Sequence, residues 1–530
     1  MKTDFDAAIV GGGFAGMYML HRLRMLGFSA RVIEAGKGVG GTWYWNRYPG
    51  ARCDVESVQY SYQFSRELEQ EWEWTERYAT QPEILKYANH VADRFDLRRD
   101  ITFETRVTEA SFDEADNVWI VETDNGGRFV ARFLIAATGC LSSPNTPKIP
   151  GLADFRGPTY HTGNWPHEGV DFTASTVGVI GTGSSAIQSI PIIARQARHL
   201  TVFQRTANYT VPAHNRPLDP DYVREVKATY PEMRRRAKSL PAGIDLKVNM
   251  ASAIETPDRE RARLFQERWD YGGLGFMAAF SDLLLNDESN KTAADFVRAK
   301  IHEIVRDPAT AELLSPKNII GCKRLCVDTA YWETFNRPNV TLVDVSEPPI
   351  DRIAPDGLHA GGREYKFDTL VLATGFDAMT GALLKVDIRG RKGRSLRDKW
   401  REGPTTYLGL TMAGFPNLFA ITGPGSPSVL TNMLPSIEQH VDWIAECLQT
   451  LRAKGARVIE ATDAAEQDWV AHVGQVAGAT LRSSCSSWYV GANIPGKPRV
   501  FMPYIGGLPA YIERCEAVVK ADYEGFSISA

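Results

Sequence analysis

The chain lacks any hydrophobic run approaching the roughly 18 apolar residues that a membrane-spanning helix needs. It also lacks the charged-then-apolar layout of a signal peptide at its start, so a cytoplasmic location with no membrane partner is expected. Excess positive charge is missing too: 60 Lys and Arg against 64 Asp and Glu leave a net charge of -4, with no basic field for nucleic acid. The 7 cysteines are scattered, and an odd count without repeated spacing argues against a disulfide framework. Cys322 and Cys326, the only close pair, lack the two-residue gap of a zinc knuckle or redox motif and have no His cluster nearby. They read as packed thiols, and no metal is expected.

What remains is ordinary globular composition, 43% apolar and 23% charged, over 530 residues. That length exceeds one hydrophobic core and predicts about two to four domains.

The chain opens with FDAAIV, then Gly11, Gly13 and Gly16 in GGGFAG, a helix-like MYMLHRLRMLG and the strand-like SARVIE. This is a βαβ unit with a glycine fingerprint in its first turn, where backbone N–H groups and a helix N-terminus can approach a pyrophosphate. Glu34 closes the second strand, at the distance where a carboxylate accepts hydrogen bonds from ribose hydroxyls. Residues 1–34 are therefore expected to hold an adenine dinucleotide with an unphosphorylated ribose.

The pattern returns in TVGVIGTGSSA, with Gly181 and Gly183 after a strand and Ala186 at the helix-packing position. Here the second strand, HLTVFQRT, ends in Arg205 and Thr206. A guanidinium pairs bidentately with a phosphate that an acid would repel, so the second nucleotide is expected to be NADP. NVWIVETDNGGRFVARFLIAATG and IAPDGLHAGGREYKFDTLVLATG echo one another, each reading as a hairpin, a buried strand and ATG, and each is expected to close its parent sheet. Two dinucleotide sites in one chain point to electron transfer between two cofactors.

The fold expected is α/β, with two Rossmann-like dinucleotide-binding domains and an inserted helical subdomain. Residues 1–145 with 385–530 form the first domain, 150–216 with 325–384 the second, and 217–324, charged and of helical period, the insertion. The C-terminal part is expected to fold back onto the first module, which lacks the elements to finish a domain.

Two stretches carry the chemistry. GGTWYWNRYPGARCD, Gly40 to Asp54, is too aromatic for a surface loop and suits the wall around a flat ring system. Its lone Cys53 excludes the redox pair of a disulfide reductase. FRGPTYHTGNWP, Phe155 to Pro166, lies between the two nucleotide units and carries His161. Together with the glycine fingerprints, these stretches match [A/G]GxWxxxx[F/Y]P[G/M]xxxD and FxGxxxHxxxWP, and the chain resembles the Type I Baeyer-Villiger monooxygenases over nearly its whole length.

That resemblance implies an NADPH- and O2-dependent flavoprotein that converts a ketone to an ester or lactone through a C4a-peroxyflavin anion, with sulfoxidation as a side activity. It places FAD on Gly11, Gly13, Gly16, Glu34, Gly41, Thr42, Trp43, Asp54, Tyr60, Val107 and Met433. It places NADP on Arg52, Gly181, Thr182, Gly183, Ser184, Ser185, Arg205, Thr206, Lys323, Arg324 and Trp488. Arg324, in GCKRLCVDTAYW, is the catalytic arginine it implies, with Asp54 as its acidic partner. Arginine suits the task because it stays charged at any working pH and can stabilise both a peroxide anion and a developing alkoxide.

Val429, Leu430, Met433 and Trp488 are the implied pocket lining, apolar enough for a hydrophobic ketone. His161, in the linker rather than at a strand end, is expected to couple the domains rather than do acid-base work. No obligate protein partner is evident. Competing readings are a flavin-dependent N- or S-hydroxylase, opposed by Arg324 and the Trp-Pro ending, and a flavin-binding sensor without catalysis, opposed by the intact glycines, Arg205 and Arg324.

Overall fold

In the computed structural model, which describes residues 1–530, two mainly parallel sheets form the centres of two layered units. The strand Phe5–Val10 is apolar enough to be covered on both faces, and lies parallel between Ala30–Ile33 and Arg128–Ala136. Around it the first sheet runs Asp387–Arg389, Val107–Asp113, Val118–Thr123, Arg128–Ala136, Phe5–Val10, Ala30–Ile33, Ile101–Thr102. Leu418–Ala420 adds to Arg128–Ala136 off this path. The second sheet is wholly parallel, in the order Val340–Asp344, His199–Gln204, Thr176–Ile180, Thr369–Leu372, Thr159–His161.

The internal echo has a structural basis. Gly11 has φ +109°, and a Cβ there would lie 2.6 Å from the Ala137 carbonyl oxygen. Gly181 has φ +114°, and its Cβ would lie 2.4 Å from the carbonyl oxygen of Ala373. Ala137 and Ala373 are the alanines of the two ATG tripeptides. In each unit the strand ending in ATG therefore runs beside the nucleotide turn, leaving room only for glycine.

The two hairpins differ. Arg128–Ala136 is long enough to pair with both its hairpin partner and the first strand. In the second unit the chain breaks between Arg363–Lys366 and Thr369–Leu372, where the Asp368 carboxylate accepts hydrogen bonds from the backbone and hydroxyl of Thr176. The second hairpin consequently joins Ile350–Ala354 in a separate three-stranded sheet, and only the short strand after it closes the parent sheet.

The segment between the two units also departs from expectation. Thr159–His161 is not plain linker: it forms the edge strand of the second sheet, with His161 opposite Leu372. His161 thus sits at a strand end.

The charged region after residue 217 forms the helices Pro220–Lys238, Asp258–Tyr271, Asp287–Ile304 and Pro308–Leu314. The first of these starts with Asp219 as side-chain cap and Pro220 in its first turn. Its apolar face, with Val226, Tyr230 and Met233, joins the core of the first unit, whereas Phe265, Trp269, Ala293 and Val297 join the core of the second. Arg234 pins the first helix down, bonded to Glu69, the Gln59 carbonyl and Ser61 at 2.9, 3.1 and 2.7 Å. The helix Met433–Ala453 packs along Phe14–Met25, where Tyr18 donates to Asp442 at 2.9 Å. No helix is long and apolar enough to cross a membrane.

Candidate active site

Between the two sheets lies one continuous cleft of about 2070 Å³ that both glycine turns face. A single drug-sized ligand needs roughly 300–1,000 Å³. The space therefore suits two dinucleotides and a small substrate together.

On the first side, Gly11, Gly13, Gly41, Thr42, Trp43, Tyr60, Val107 and Met433 all line the cleft. Gly16 does not: it lies in the helix, where a Cβ would fall 1.9 Å from the Gly11 carbonyl, so its role is packing the helix onto the turn. Gly13 and Gly41 approach so closely that a Cβ on Gly41 would be 2.9 Å from the Gly13 Cα, which keeps the turn open to a bulky ligand. Trp43 Nε1 donates to the Tyr60 hydroxyl at 3.0 Å and fixes both rings as one wall. Glu34 is buried, and its carboxylate accepts from the backbone N–H of Gly12 and of Gly36, each at 2.6 Å. Burial pushes this carboxyl up and the two N–H donors draw it back. A carboxylate accepts about four bonds, so acceptor capacity remains for ribose.

On the second side, Gly181, Thr182, Gly183, Ser184 and Ser185 line the cleft, with open space in front of Gly183. Thr182 donates to the Thr206 carbonyl at 2.8 Å, tying the glycine turn to the strand end that carries Arg205. Arg205 and Thr206 are exposed at the rim. Burial and the nearby Arg205 charge both lower the Lys323 ammonium, so two cations share this corner. Anion binding would relieve their repulsion. Arg52 lines the cleft, but its guanidinium turns toward Glu76 and the Tyr78 carbonyl, at 3.5 and 3.4 Å.

Arg324 and Asp54 meet where the two sides join. The strand Cys326–Asp328 runs parallel to Thr210–Pro212, which anchors the segment leading into it. From that segment Arg324 Nε donates to Asp54 Oδ2 at 3.0 Å and Nη1 to the Val429 carbonyl at 3.3 Å. The Asp54 side chain is 9% exposed and that of Arg324 31%, so the carboxylate is enclosed while part of the guanidinium faces the cleft. Burial works against the Arg324 charge, but the Asp54 carboxylate outweighs it and holds the guanidinium above its ordinary range. Burial also pushes the Asp54 carboxyl up, and Arg324 pulls it back. A guanidinium cannot be deprotonated in a protein, so Arg324 keeps its charge at this seam.

The C-terminal loop closes one end. Trp488, Val429 and Met433 line the cleft, while Leu430 packs behind them in the same small apolar cluster. Cys322 is not the packed free thiol expected from the sequence; it is disulfide-bonded to Cys485, with Cα atoms 5.6 Å apart. The partners are 163 residues apart, so no spacing rule could pair them. This bond tethers the Trp488 loop beside Lys323 and Arg324. Cys53 and Cys326 are free and buried, and burial pushes each thiol up to about 12.

The sequence pattern of the pyridine nucleotide-disulphide oxidoreductases matches residues 8–258, the stretch holding both glycine turns. That class description fits the two-nucleotide architecture, while Cys53, lone and buried, offers no redox pair. Over the full length, the chain is 43% identical to a Baeyer-Villiger monooxygenase of Pseudooceanicola batsensis, covering 98% of this chain and 96% of that one. The chain belongs to the Baeyer-Villiger monooxygenases. Among solved structures, this Baeyer-Villiger monooxygenase resembles an oxidized steroid monooxygenase bound to NADP, with TM-score 0.94, 53% identity and 99% of each chain covered. It also resembles OTEMO in complex with FAD and NADP, with TM-score 0.97, 40% identity and 100% of each chain covered.

In this Baeyer-Villiger monooxygenase, His161 lines the cleft beside both chain crossings between the sheets, 137–158 and 373–386. Its Nε2 lies 3.3 Å from the Asn145 carbonyl and 3.2 Å from Thr374 Oγ1, and its Nδ1 accepts from the Gly163 N–H at 2.9 Å. That set requires the neutral imidazole with the proton on Nε2, and burial accordingly lowers its basicity. Asn145, Thr374, Gly12 and Gln188 escaped the sequence reading. A lone polar residue in a loop or helix carries no pattern, although Gly12 was legible as the middle of GGG.

Proposed function

We propose that this chain is an FAD- and NADPH-dependent monooxygenase that inserts one oxygen atom of O2 beside the carbonyl of an apolar ketone, giving an ester or lactone. The observation that carries the reading is the Arg324–Asp54 ion pair at the seam of a cleft that two glycine turns share. The bound cofactors would supply the hydride and the oxygen activation. The protein's own residues do the rest. Gly11, Gly13 and Gly41 leave room for one pyrophosphate and flat ring, with Glu34 on its ribose and Trp43 and Tyr60 as the wall. Gly181 to Ser185 cradle the second dinucleotide, and Arg205 with Lys323 takes its extra phosphate. Arg324 stabilises negative charge as it develops at the reacting oxygens, and Asp54 keeps the guanidinium aimed.

Val429, Met433 and Trp488 give the substrate end an apolar wall, and the likeness to a steroid monooxygenase makes a bulky polycyclic ketone the first substrate to test. A cytoplasmic location, with a small ketone and O2 as the substrates and no obligate protein partner, belongs to the same proposal. The deciding experiment feeds a panel of cyclic, aryl and polycyclic ketones to the holoenzyme with NADPH and scores products by mass. Ketone-dependent NADPH use with a product one oxygen heavier is expected. Oxidation of amines or sulfides alone, or no turnover, would reject the reading.

His161 is proposed to hold the two crossings in the conformation that lets both units close on NADP. His161→Ala is expected to lower NADPH oxidation and oxygenation together, roughly tenfold, the worth of one buried hydrogen bond of about 1.4 kcal/mol. Rates no lower than those of a surface control would dismiss that role.

A further inference from the structure

Gln188 lies near the start of the helix Ser184–Gln196, directly behind the second glycine turn, yet its carboxamide serves the other unit. Oε1 accepts from the Tyr48 hydroxyl at 2.8 Å and the Arg52 N–H at 3.3 Å, while Nε2 donates to the Arg52 carbonyl at 3.0 Å and to Asp54 Oδ1 at 3.3 Å. Both ends of the amide are thus occupied, and every partner belongs to the Gly40–Asp54 stretch. The backbone makes the same contact: Gly50 has φ +80°, and a Cβ there would lie 2.3 Å from the Gln188 carbonyl oxygen. Loop and helix are therefore pressed together at a site where only glycine fits.

Asp54 is clasped from one side of the cleft by two groups of the other: Gln188 on Oδ1 and Arg324 on Oδ2. We propose that Gln188 is a positioning residue for oxygen transfer, setting the Asp54 carboxylate against Arg324 when the two nucleotide-binding units are docked. The inference rests on the proposed role of Arg324. A carboxylate held at one oxygen only can turn about its last torsion, and the guanidinium it steers turns with it.

The groups around Asp54 make the effect visible in pH. Arg324 faces it from the segment before Cys326–Asp328, Tyr48 and Cys53 from its own loop, Cys326 from the strand, and Tyr78 from the segment that follows the loop. Arg52 is turned away to Glu76. Burial already favours the neutral acid, so loss of an N–H donor to the carboxylate raises its proton affinity further. Ester formation is then lost from the acid side at higher pH than in the wild type.

The test uses the holoenzyme with NADPH and an accepted ketone, comparing wild type, Gln188→Met, Gln188→Glu, Tyr48→Phe and Arg324→Ala. For Gln188→Met, FAD occupancy is expected to be unchanged and hydrogen peroxide to replace ester as the fate of NADPH, with ester yield down about threefold or more at pH 7. The acid limb of ester formation should move up by about half a pH unit or more, with recovery at higher pH. Gln188→Glu, which sets a second carboxyl beside Asp54, should move it further. Tyr48→Phe frees one anchor of the carboxamide while removing no hydrogen bond to Asp54, and should give a smaller shift of the same sign. An unmoved acid limb and unchanged peroxide fraction in all three variants overturn the proposal. So does a loss of rate at every pH that merely follows a fall in thermal midpoint. If Arg324→Ala still forms ester, the parent reading fails; if it is inactive while the Gln188 variants behave as wild type, only this inference fails.

Discussion

Replacing Arg324 with alanine is expected to lower ester or lactone formation by at least ~10²–10³-fold, the cost of removing one pre-aligned donor to a developing oxyanion, while FAD stays bound. The side of the cleft proposed for the flavin is built from the Gly11 and Gly41 turns, Glu34 and the Trp43–Tyr60 pair, none of which is hydrogen-bonded to the guanidinium. The loss should therefore fall on turnover rather than on flavin content. Arg324→Lys is expected to be nearly as damaging. An ammonium keeps the charge but cannot span Asp54 Oδ2 and the Val429 carbonyl as the planar fork does, at 3.0 and 3.3 Å. In the alanine variant the enclosed Asp54 loses its counter-ion and should take up a proton, because burial already pushes its carboxyl up. Flavin absorbance of the purified variant and product yield by mass spectrometry check both halves. A variant that oxygenates ketones at the wild-type rate would remove Arg324 from the chemistry.

The second large effect concerns the choice of nicotinamide cofactor. Arg205→Ala is expected to cut the preference for NADPH over NADH, as a ratio of kcat/KM values, by roughly 10- to 100-fold, the worth of one or two charge-assisted hydrogen bonds of about 1.5–3 kcal/mol. The exposure of Arg205 keeps the figure at the lower end, since solvent screens its charge. Lys323 is expected to supply the rest: burial first and the neighbouring Arg205 charge second lower its basicity, so an anion placed between the two would be welcome to both. The double replacement should leave little discrimination. Raising the salt concentration should weaken NADPH binding in the wild type more than in the variant. An unaltered preference in Arg205→Ala would place the phosphate elsewhere.

Much of this site was legible in the sequence because its parts are local. Spaced glycines between a strand and a helix mark a phosphate-binding turn, and the acid or arginine that ends the next strand follows at a short distance. Glu34 and Arg205 were picked out that way, and the structure brings both to the cleft. Leu430 shows the limit of carrying a role across by position. It is adjacent to Val429 in the short 3-10 turn Ser428–Leu430, yet Val429 lines the cleft and Leu430 packs against the same apolar cluster without lining it.

His161 shows another limit. Three residues between a turn-rich run and a glycine-bearing loop do not read as a strand, and they become one only because Thr369–Leu372 offers a free edge. The two ATG hairpins carry nearly the same pattern, yet two residues between strand and hairpin give the second a sheet of its own.

The sequence by itself determined the two glycine turns, their difference in charge and the family, since each is written in neighbours along the chain. Only the tertiary structure decided which distant groups meet. The Arg324–Asp54 pair, which only the family resemblance had suggested, spans 270 residues, the Gln188–Asp54 bond 134 and the Cys322–Cys485 link 163. Such contacts are set by how two sheets and a returning C-terminal segment pack, and packing is a property of whole surfaces that no local spacing encodes.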